Sequence, residues 1–147
     1  MVRRFPIASR KAEGGAIMAM NQTAGALPYD SVRTISAEAL SQKLRSNVPL
    51  TIVDVRDRPQ VRAAGTIADA RMFPLYQLAS RIDELGPLRS TLVVLVSQTA
   101  RRARVAALEL EMAGFGEVFV LEGGIQRWVD LGYPLQDRHD SVPSSRF

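Results

Sequence analysis

A short polar segment follows an apolar run and precedes a stretch with helical character, and it reads Ser97, Gln98, Thr99, Ala100, Arg101, Arg102. A strand, a tight loop and a helix in succession form a common anion-binding unit, because backbone N–H groups of the loop and the helix start converge. The guanidinium groups of Arg101 and Arg102 suit the oxygens of sulfate, thiosulfate or phosphate. We therefore predict an anion-binding loop at 97–102. In the structural alternative, the arginines are solvated, and Ser97 and Thr99 only cap the helix or bond within the loop.

The sequence offers neither a thiol nor an evident general base for nucleophilic catalysis by this loop. The chain has no cysteine, which excludes disulfides, cysteine-ligated metals and thiol catalysis. The Ser97 hydroxyl would need a positioned general base, and the single histidine, His139, lies near the C-terminus. Asp54 is better explained as half of a structural ion pair with Arg56 or another basic residue. A serine hydrolase therefore ranks last among the hypotheses, and we expect no metal ion and no cofactor.

The positive charge of the chain is concentrated at its start. The net charge is +4; residues 1–33 hold five basic and two acidic residues, whereas residues 34–135 hold twelve basic and eleven acidic ones. A nearly neutral domain argues against nucleic-acid binding, and no apolar run is long enough to predict a membrane span. We expect one cytoplasmic domain that binds neither nucleic acid nor membranes. The oligomeric state is left open.

The two ends of the chain lack sustained hydrophobic periodicity. Residues 1–33 carry arginines and few acidic residues, and we interpret them as a flexible or transit-like leader. Met18 and Met20 leave a later translation start open. Residues 136–147 are predicted to be a flexible tail, and 34–135 to be the domain.

Between these ends, strand and helix patterns alternate. Strand patterns occur over 50–55, 71–75, 91–96, 117–124. Helical patterns occur over 34–47, 59–65, 75–86, 100–115, 125–134. Ser36 is the predicted N-cap of the first helix, Trp128 a core residue, and Gly123 and Gly124 a turn. The alternation predicts an α/β three-layer sandwich, a central parallel sheet flanked by helices on both faces, in which the most apolar strand, 91–96, is central.

Four motifs, in order and correctly spaced, resemble the rhodanese domain family over roughly residues 34–135. They are IVDVR at 52–56, AAGTIADARMFPL at 63–75, VVLVSQTARRAR at 93–104, and VFVLEGGIQRWVDLGYPL at 118–135. In this register Ser97 falls on the family's catalytic cysteine, Thr66 where histidine is usual, and Ala100 on a loop glycine. The family's loop runs from the cysteine through four residues to an arginine, here Arg102. This length is typical of sulfurtransferases, whereas phosphatases that share the fold carry one residue more.

The resemblance implies sulfur transfer through a persulfide in members that have the cysteine. Because a hydroxyl cannot form a sulfur–sulfur bond, we expect a non-catalytic rhodanese-like domain. It would bind a small oxyanion, a sulfur-carrying anion or a protein partner at the 97–102 loop, as an interaction or regulatory module. The alternative is a thiosulfate-type sulfurtransferase seen as a Cys-to-Ser variant. The changes at Thr66 and Ala100 favour natural divergence, since an engineered variant would alter only the nucleophile.

Overall fold

The computed structural model of the protein describes residues 31–137, so the interpretations of residues 1–30, and of His139 and the rest of 138–147, lie outside the described residues. Five strands run in the order β1 (Thr34–Ile35), β2 (Thr51–Asp54), β3 (Arg71–Met72), β4 (Leu92–Val96), β5 (Glu117–Leu121). The α-helices are α1 (Ala37–Arg45), α2 (Arg58–Ala64), α3 (Leu75–Arg81), α4 (Arg101–Met112), α5 (Gly124–Asp130). A 3₁₀ helix spans Ile82–Leu88 between α3 and β4.

The strands form one parallel sheet in the spatial order β1-β5-β4-β2-β3. The predicted central position of the most apolar strand is confirmed, because β4 lies between β5 and β2. Each parallel connection needs a crossover, which the helices supply, so the carboxyl ends of all five strands meet at one edge of the sheet. The loop after β4 lies at this edge.

Two apolar clusters, one on each face of the sheet, confirm the three-layer sandwich. Alternate residues of β4 point to opposite faces: Val93 and Leu95 join one cluster, and Val94 and Val96 the other. The first cluster is covered by α3, the 3₁₀ helix and α4, and the second by α1 and α5. Trp128 is 3% exposed in the second cluster, which confirms it as a core residue. Burial of each large apolar side chain contributes about 1.5–3 kcal/mol to stability.

Local signals for helix ends are confirmed. The Ser36 side chain accepts a hydrogen bond from the Ala39 N–H (3.0 Å), as an N-cap does. Gly65 ends α2 with a φ of 84°, and Gly114 follows α4 with a φ of 96°. These left-handed positions favour glycine because a side chain would clash with the backbone there.

Several elements differ from the sequence predictions. The strand predicted over 71–75 ends at Met72, since Pro74 follows and α3 begins at Leu75, and the helix predicted over 125–134 ends at Asp130. The strand β1 was not predicted; it has only two residues and depends on its pairing with β5, Thr34 opposite Val120 and Ile35 opposite Leu121. The helix predicted over 75–86 ends at Arg81 and continues as the 3₁₀ helix, because Pro87 has no N–H and disfavours α-helical backbone before it. The strand predicted over 117–124 ends at Leu121, since Gly124 already begins α5. None of the helices within 31–137 is long and apolar enough to cross a membrane.

Candidate functional site

The predicted loop connects the carboxyl end of β4 with the first turn of α4. β4 ends at Val96 and α4 begins at Arg101, so the loop proper contains only four residues. The strand is buried on both faces, and the helix packs on the sheet through Ala103, Ala106 and Ala107. Both ends of the loop are therefore fixed by the core, which positions its backbone at the carboxyl edge of the sheet.

Ser97 is the first residue of this loop, and its side chain is buried. It is 1% exposed, and its Oγ accepts hydrogen bonds from the Ala100 N–H (3.2 Å) and the Ala103 N–H (3.1 Å). Helix starts leave such N–H groups without intrahelical acceptors. The side-chain oxygen at position 97 thus occupies the point on which two amides of the loop converge. These two hydrogen bonds show that Ser97 bonds within the loop and caps the start of α4, as the structural alternative for this residue predicted.

Ala100 has a left-handed backbone conformation that alanine rarely adopts. Its φ is 107° and its ψ −18°, and the residue is 7% exposed. This conformation directs the Ala100 N–H back to Ser97 while the chain enters the helix at Arg101. An alanine at such a φ costs free energy, about 1–3 kcal/mol, and such strain is typically found at functional sites. The position requires a positive φ even though no glycine stands there.

The N-terminus of α5, the helix that follows the neighbouring strand β5, donates hydrogen bonds to the loop. The Ile125 N–H donates to the Ser97 carbonyl (2.9 Å), and the Gln126 N–H donates to the Gln98 carbonyl (3.0 Å). These bonds require close approach of two backbones at Gly124, where a Cβ atom would lie 2.5 Å from the Ser97 carbonyl oxygen. Gly124, predicted only as a turn residue, therefore also positions the loop.

Four backbone N–H groups of the loop and first helical turn have no acceptor among residues 31–137. They belong to Gln98, Thr99, Arg101, Arg102. All four residues are exposed. No acceptor within residues 31–137 takes these four amides, whereas those of Ala100 and Ala103 donate to Ser97.

The two arginines differ in their contacts. Arg102 Nη1 lies 3.6 Å from Asp57 Oδ2, and both side chains are about half exposed. Arg101 is exposed and has no side-chain partner within the described part of the chain. Asp57 was not among the residues predicted for the site. Its place in the short segment between β2 and α2 was the available signal, because residues that follow parallel strands meet at one edge of the sheet.

A buried ion pair between Arg56 and Asp54 contacts the loop through the side chain of Gln98. Arg56 is 1% exposed; its Nη2 contacts Asp54 Oδ2 (2.8 Å) and donates to the Gly65 carbonyl (2.8 Å). The Thr66 hydroxyl donates to Asp54 Oδ2 (2.6 Å), and Arg56 Nη1 reaches Gln98 Oε1 at 3.5 Å. The predicted structural role of Asp54 is confirmed. Since its carboxylate is fully occupied by these donors, it does not serve Ser97 as a base.

A separate cavity of about 270 Å³ opens near the amino ends of β2 and β3. Its lining residues are Leu44, Asn47, Val48, Pro49, Leu50, Ile52, Ala68, Asp69. It shares no residue with the 97–102 loop and lies at the opposite edge of the sheet. The candidate site is thus the loop at the carboxyl edge.

The sequence profile of the rhodanese-like domain matches residues 36–131. This chain belongs to the rhodanese-like domain family. A sulfurtransferase of Allochromatium vinosum is 33% identical over 104 residues, which cover 71% of this chain and 94% of that protein. A thiosulfate sulfurtransferase of Pseudomonas putida is 34% identical over 86 residues, 58% of this chain and 76% of that protein. The crystal structure of a rhodanese-related protein from Thermoplasma volcanium is also similar, with a TM-score of 0.64, 27% identity, and coverage of 71% of this chain and 98% of that chain.

Within the rhodanese-like family, this chain is a form without cysteine. The resemblance places Ser97 at the position of the catalytic cysteine, and the structure gives that side chain two backbone N–H donors. Thr66, where the family usually has histidine, is 0% exposed and bonded to Asp54. It therefore contributes to the buried network rather than to the open side of the loop.

Proposed function

We propose that this rhodanese-like domain does not transfer sulfur and binds a small oxyanion or sulfur-carrying anion at the 97–102 loop. The observation that carries the proposal is the set of four unpaired N–H groups at Gln98, Thr99, Arg101 and Arg102. Successive amides of this kind, at the positive end of a helix dipole, attract anions. The side chains of Arg101 and Arg102 add two cationic groups whose planar donors fit tetrahedral oxyanions.

Loss of sulfur transfer follows from the chemistry of position 97. Persulfide formation needs a thiolate that attacks a sulfane sulfur, and the chain contains no cysteine. A serine hydroxyl is a much weaker acid and requires a general base. The carboxylate of the buried network, Asp54, is held by Arg56 and Thr66. The domain would therefore recognise an anion without converting it, as a binding or regulatory module.

A sulfurtransferase that has lost only its nucleophile is the second candidate. It is favoured by the position of Ser97 Oγ, which accepts from two amides of the loop. The same donors would stabilise a thiolate and lower the pKa of a cysteine there. The sulfurtransferases among its relatives favour the same interpretation.

One pair of experiments tests both candidates. The first follows backbone amide chemical shifts of residues 97–103 during titration of the wild-type protein with sulfate and thiosulfate. We expect saturable shifts in this segment, and a dissociation constant at least tenfold weaker in Arg102→Gln, because a hydrogen bond to a charged group contributes about 1.5–3 kcal/mol. Arg71→Gln, which removes an exposed arginine of β3, is the control for net charge. Absence of saturable shifts in the wild-type protein would refute the proposal.

The second experiment measures transfer of sulfur from thiosulfate to cyanide by the wild-type protein and by Ser97→Cys. We expect turnover only in the cysteine variant, since the loop already offers the donors that a thiolate needs. Turnover by the wild-type protein would contradict the proposed loss of activity. If neither protein turns over, the second candidate is wrong, while the anion titration still decides the first.

A further inference from the structure

The contact between Asp57 and Arg102 places a carboxylate beside an arginine of the proposed anion site. Arg102 Nη1 and Asp57 Oδ2 are 3.6 Å apart, with side-chain exposures of 51% and 45%. The separation exceeds that of a hydrogen bond, and both groups are half solvated, so the pair is held loosely. An arginine in such a pair can turn towards another anion without a large loss of stability.

The backbone of Asp57 is fixed, which keeps its carboxylate at this place. Asp57 is the N-cap of α2; its N–H donates to Gln60 Oε1 (3.2 Å), and its carbonyl accepts from the Val61 N–H (3.2 Å). The residue lies in the short connection between the end of β2 at Asp54 and the start of α2, and β2 pairs with β4, the strand that carries the loop. Its negative charge therefore belongs to the same edge of the sheet as the four open amides.

We infer that Asp57 competes with the bound anion for Arg102 and so lowers the affinity of the loop for anions. This inference rests on the proposed function. An anion that enters the loop either displaces the Asp57 carboxylate from Arg102 or shares the guanidinium with it. Arg101, without a side-chain partner among residues 31–137, remains available in both cases. The carboxylate therefore weakens the binding of any anion that uses Arg102.

The variant Asp57→Asn tests this role without damage to the fold. Asparagine is as good an N-cap as aspartate, so α2 keeps its start, and an exposed ion pair contributes little to stability. The control is Glu122→Gln, which removes the same charge from another exposed residue at the carboxyl edge, directly after β5. Dissociation constants for sulfate and thiosulfate are measured by calorimetry at constant low ionic strength, for wild type, both single variants, Arg102→Gln, and the double variant of positions 57 and 102.

We expect Asp57→Asn to bind sulfate and thiosulfate about two- to fivefold more tightly than the wild type, a range typical of an exposed ion pair. Glu122→Gln should change affinity less, and the effect of Asp57→Asn should disappear when Arg102 is already glutamine. Equal effects of Asp57→Asn and Glu122→Gln, or an effect that persists without Arg102, would overturn the inference and leave the proposed function standing. If neither the wild type nor Asp57→Asn binds either anion, the proposed function itself fails.

Discussion

Gly124 and Ser97 lie so close that their backbones leave no room for a side chain between them. A Cβ atom at position 124 would come within 2.5 Å of the Ser97 carbonyl oxygen and 2.6 Å of the Gln98 carbonyl oxygen. This approach lets the start of α5 donate two hydrogen bonds to the loop. The double glycine after β5 thus supports the candidate anion-binding loop after β4, although the two segments are well separated in sequence.

The variant Gly124→Ala should therefore destabilise the protein and shift the loop. We expect a loss of about 3 kcal/mol, because the new methyl group meets fixed carbonyl oxygens and the φ of 65° is itself unfavourable for alanine. The control is Gly132→Ala, where φ is 88° but no atom lies within 4 Å of the added Cβ, so only backbone strain of about 1 kcal/mol is expected. Chemical denaturation gives both free energies of unfolding; equal losses would show that the contact with Ser97 has no energetic role.

The strained alanine of the loop gives a second prediction. In Ala100→Gly, relief of the positive φ opposes the loss of a buried methyl group and the added freedom of the unfolded chain, so stability should stay within about 1 kcal/mol of wild type. In Ala106→Gly, in the middle of α4, there is no strain to relieve, and we expect a loss of about 2 kcal/mol. The two unfolding midpoints are compared directly. Similar losses in both variants would mean that Ala100 is not strained.

The buried ion pair of Arg56 and Asp54 should contribute strongly to the stability of the protein. Asp54→Ala leaves the guanidinium of Arg56 buried without its counter-charge, and we expect a loss of about 3–5 kcal/mol. Thr66→Val removes one hydrogen bond to the same carboxylate and should cost about 1.5–3 kcal/mol.

The comparison for this pair is Glu84→Gln, which removes the partner of Arg81 at the surface. The Arg81–Glu84 distance, 2.9 Å, is close to that of the buried pair, yet its exposure to water predicts little change in stability. A large effect of Glu84→Gln together with a small one of Asp54→Ala would contradict the assignment of the buried pair as the structural one.

The half-buried carboxyl of Glu111, in α4, should make the stability of the protein depend on pH. Desolvation raises the pKa of Glu111 above its ordinary value of 4.5, and the charge of Arg33 opposes this only in part. Just above pH 4.5 the folded state then holds more protons at Glu111 than the unfolded state, so this group makes stability fall as the pH rises through that window. At neutral pH the ionised Glu111 is a net cost, which is relieved on acidification.

Glu111→Gln should therefore raise the melting temperature at pH 7 and have little effect at pH 4. The exposed Glu117 of β5 provides the control variant Glu117→Gln, for which no such difference is expected. A stabilisation by Glu111→Gln that is the same at both pH values would show that protonation of this carboxyl is not its cause.

Features governed by neighbouring residues were predictable from the sequence. The alternation of apolar strands and amphipathic helices predicted the three-layer fold. Ser36 predicted the start of α1, and Gly65 predicted the end of α2. The buried pair of Asp54 and Arg56 was also predictable, because the two residues are only two positions apart in the sequence. The place of the 97–102 loop between a strand and a helix followed from the same local patterns, which depend on backbone geometry and side-chain periodicity over a few residues.

Contacts between distant segments were decided only by the tertiary structure. The order of the strands brings the ends of β2, β4 and β5 together, and this juxtaposition creates both the contact of Asp57 with Arg102 and that of Gly124 with Ser97. The strand β1 likewise exists only through its pairing with β5. Periodicity within a segment carries no information on which strands become neighbours, so the sequence by itself located the loop, and the packing of the whole sheet determined what surrounds it.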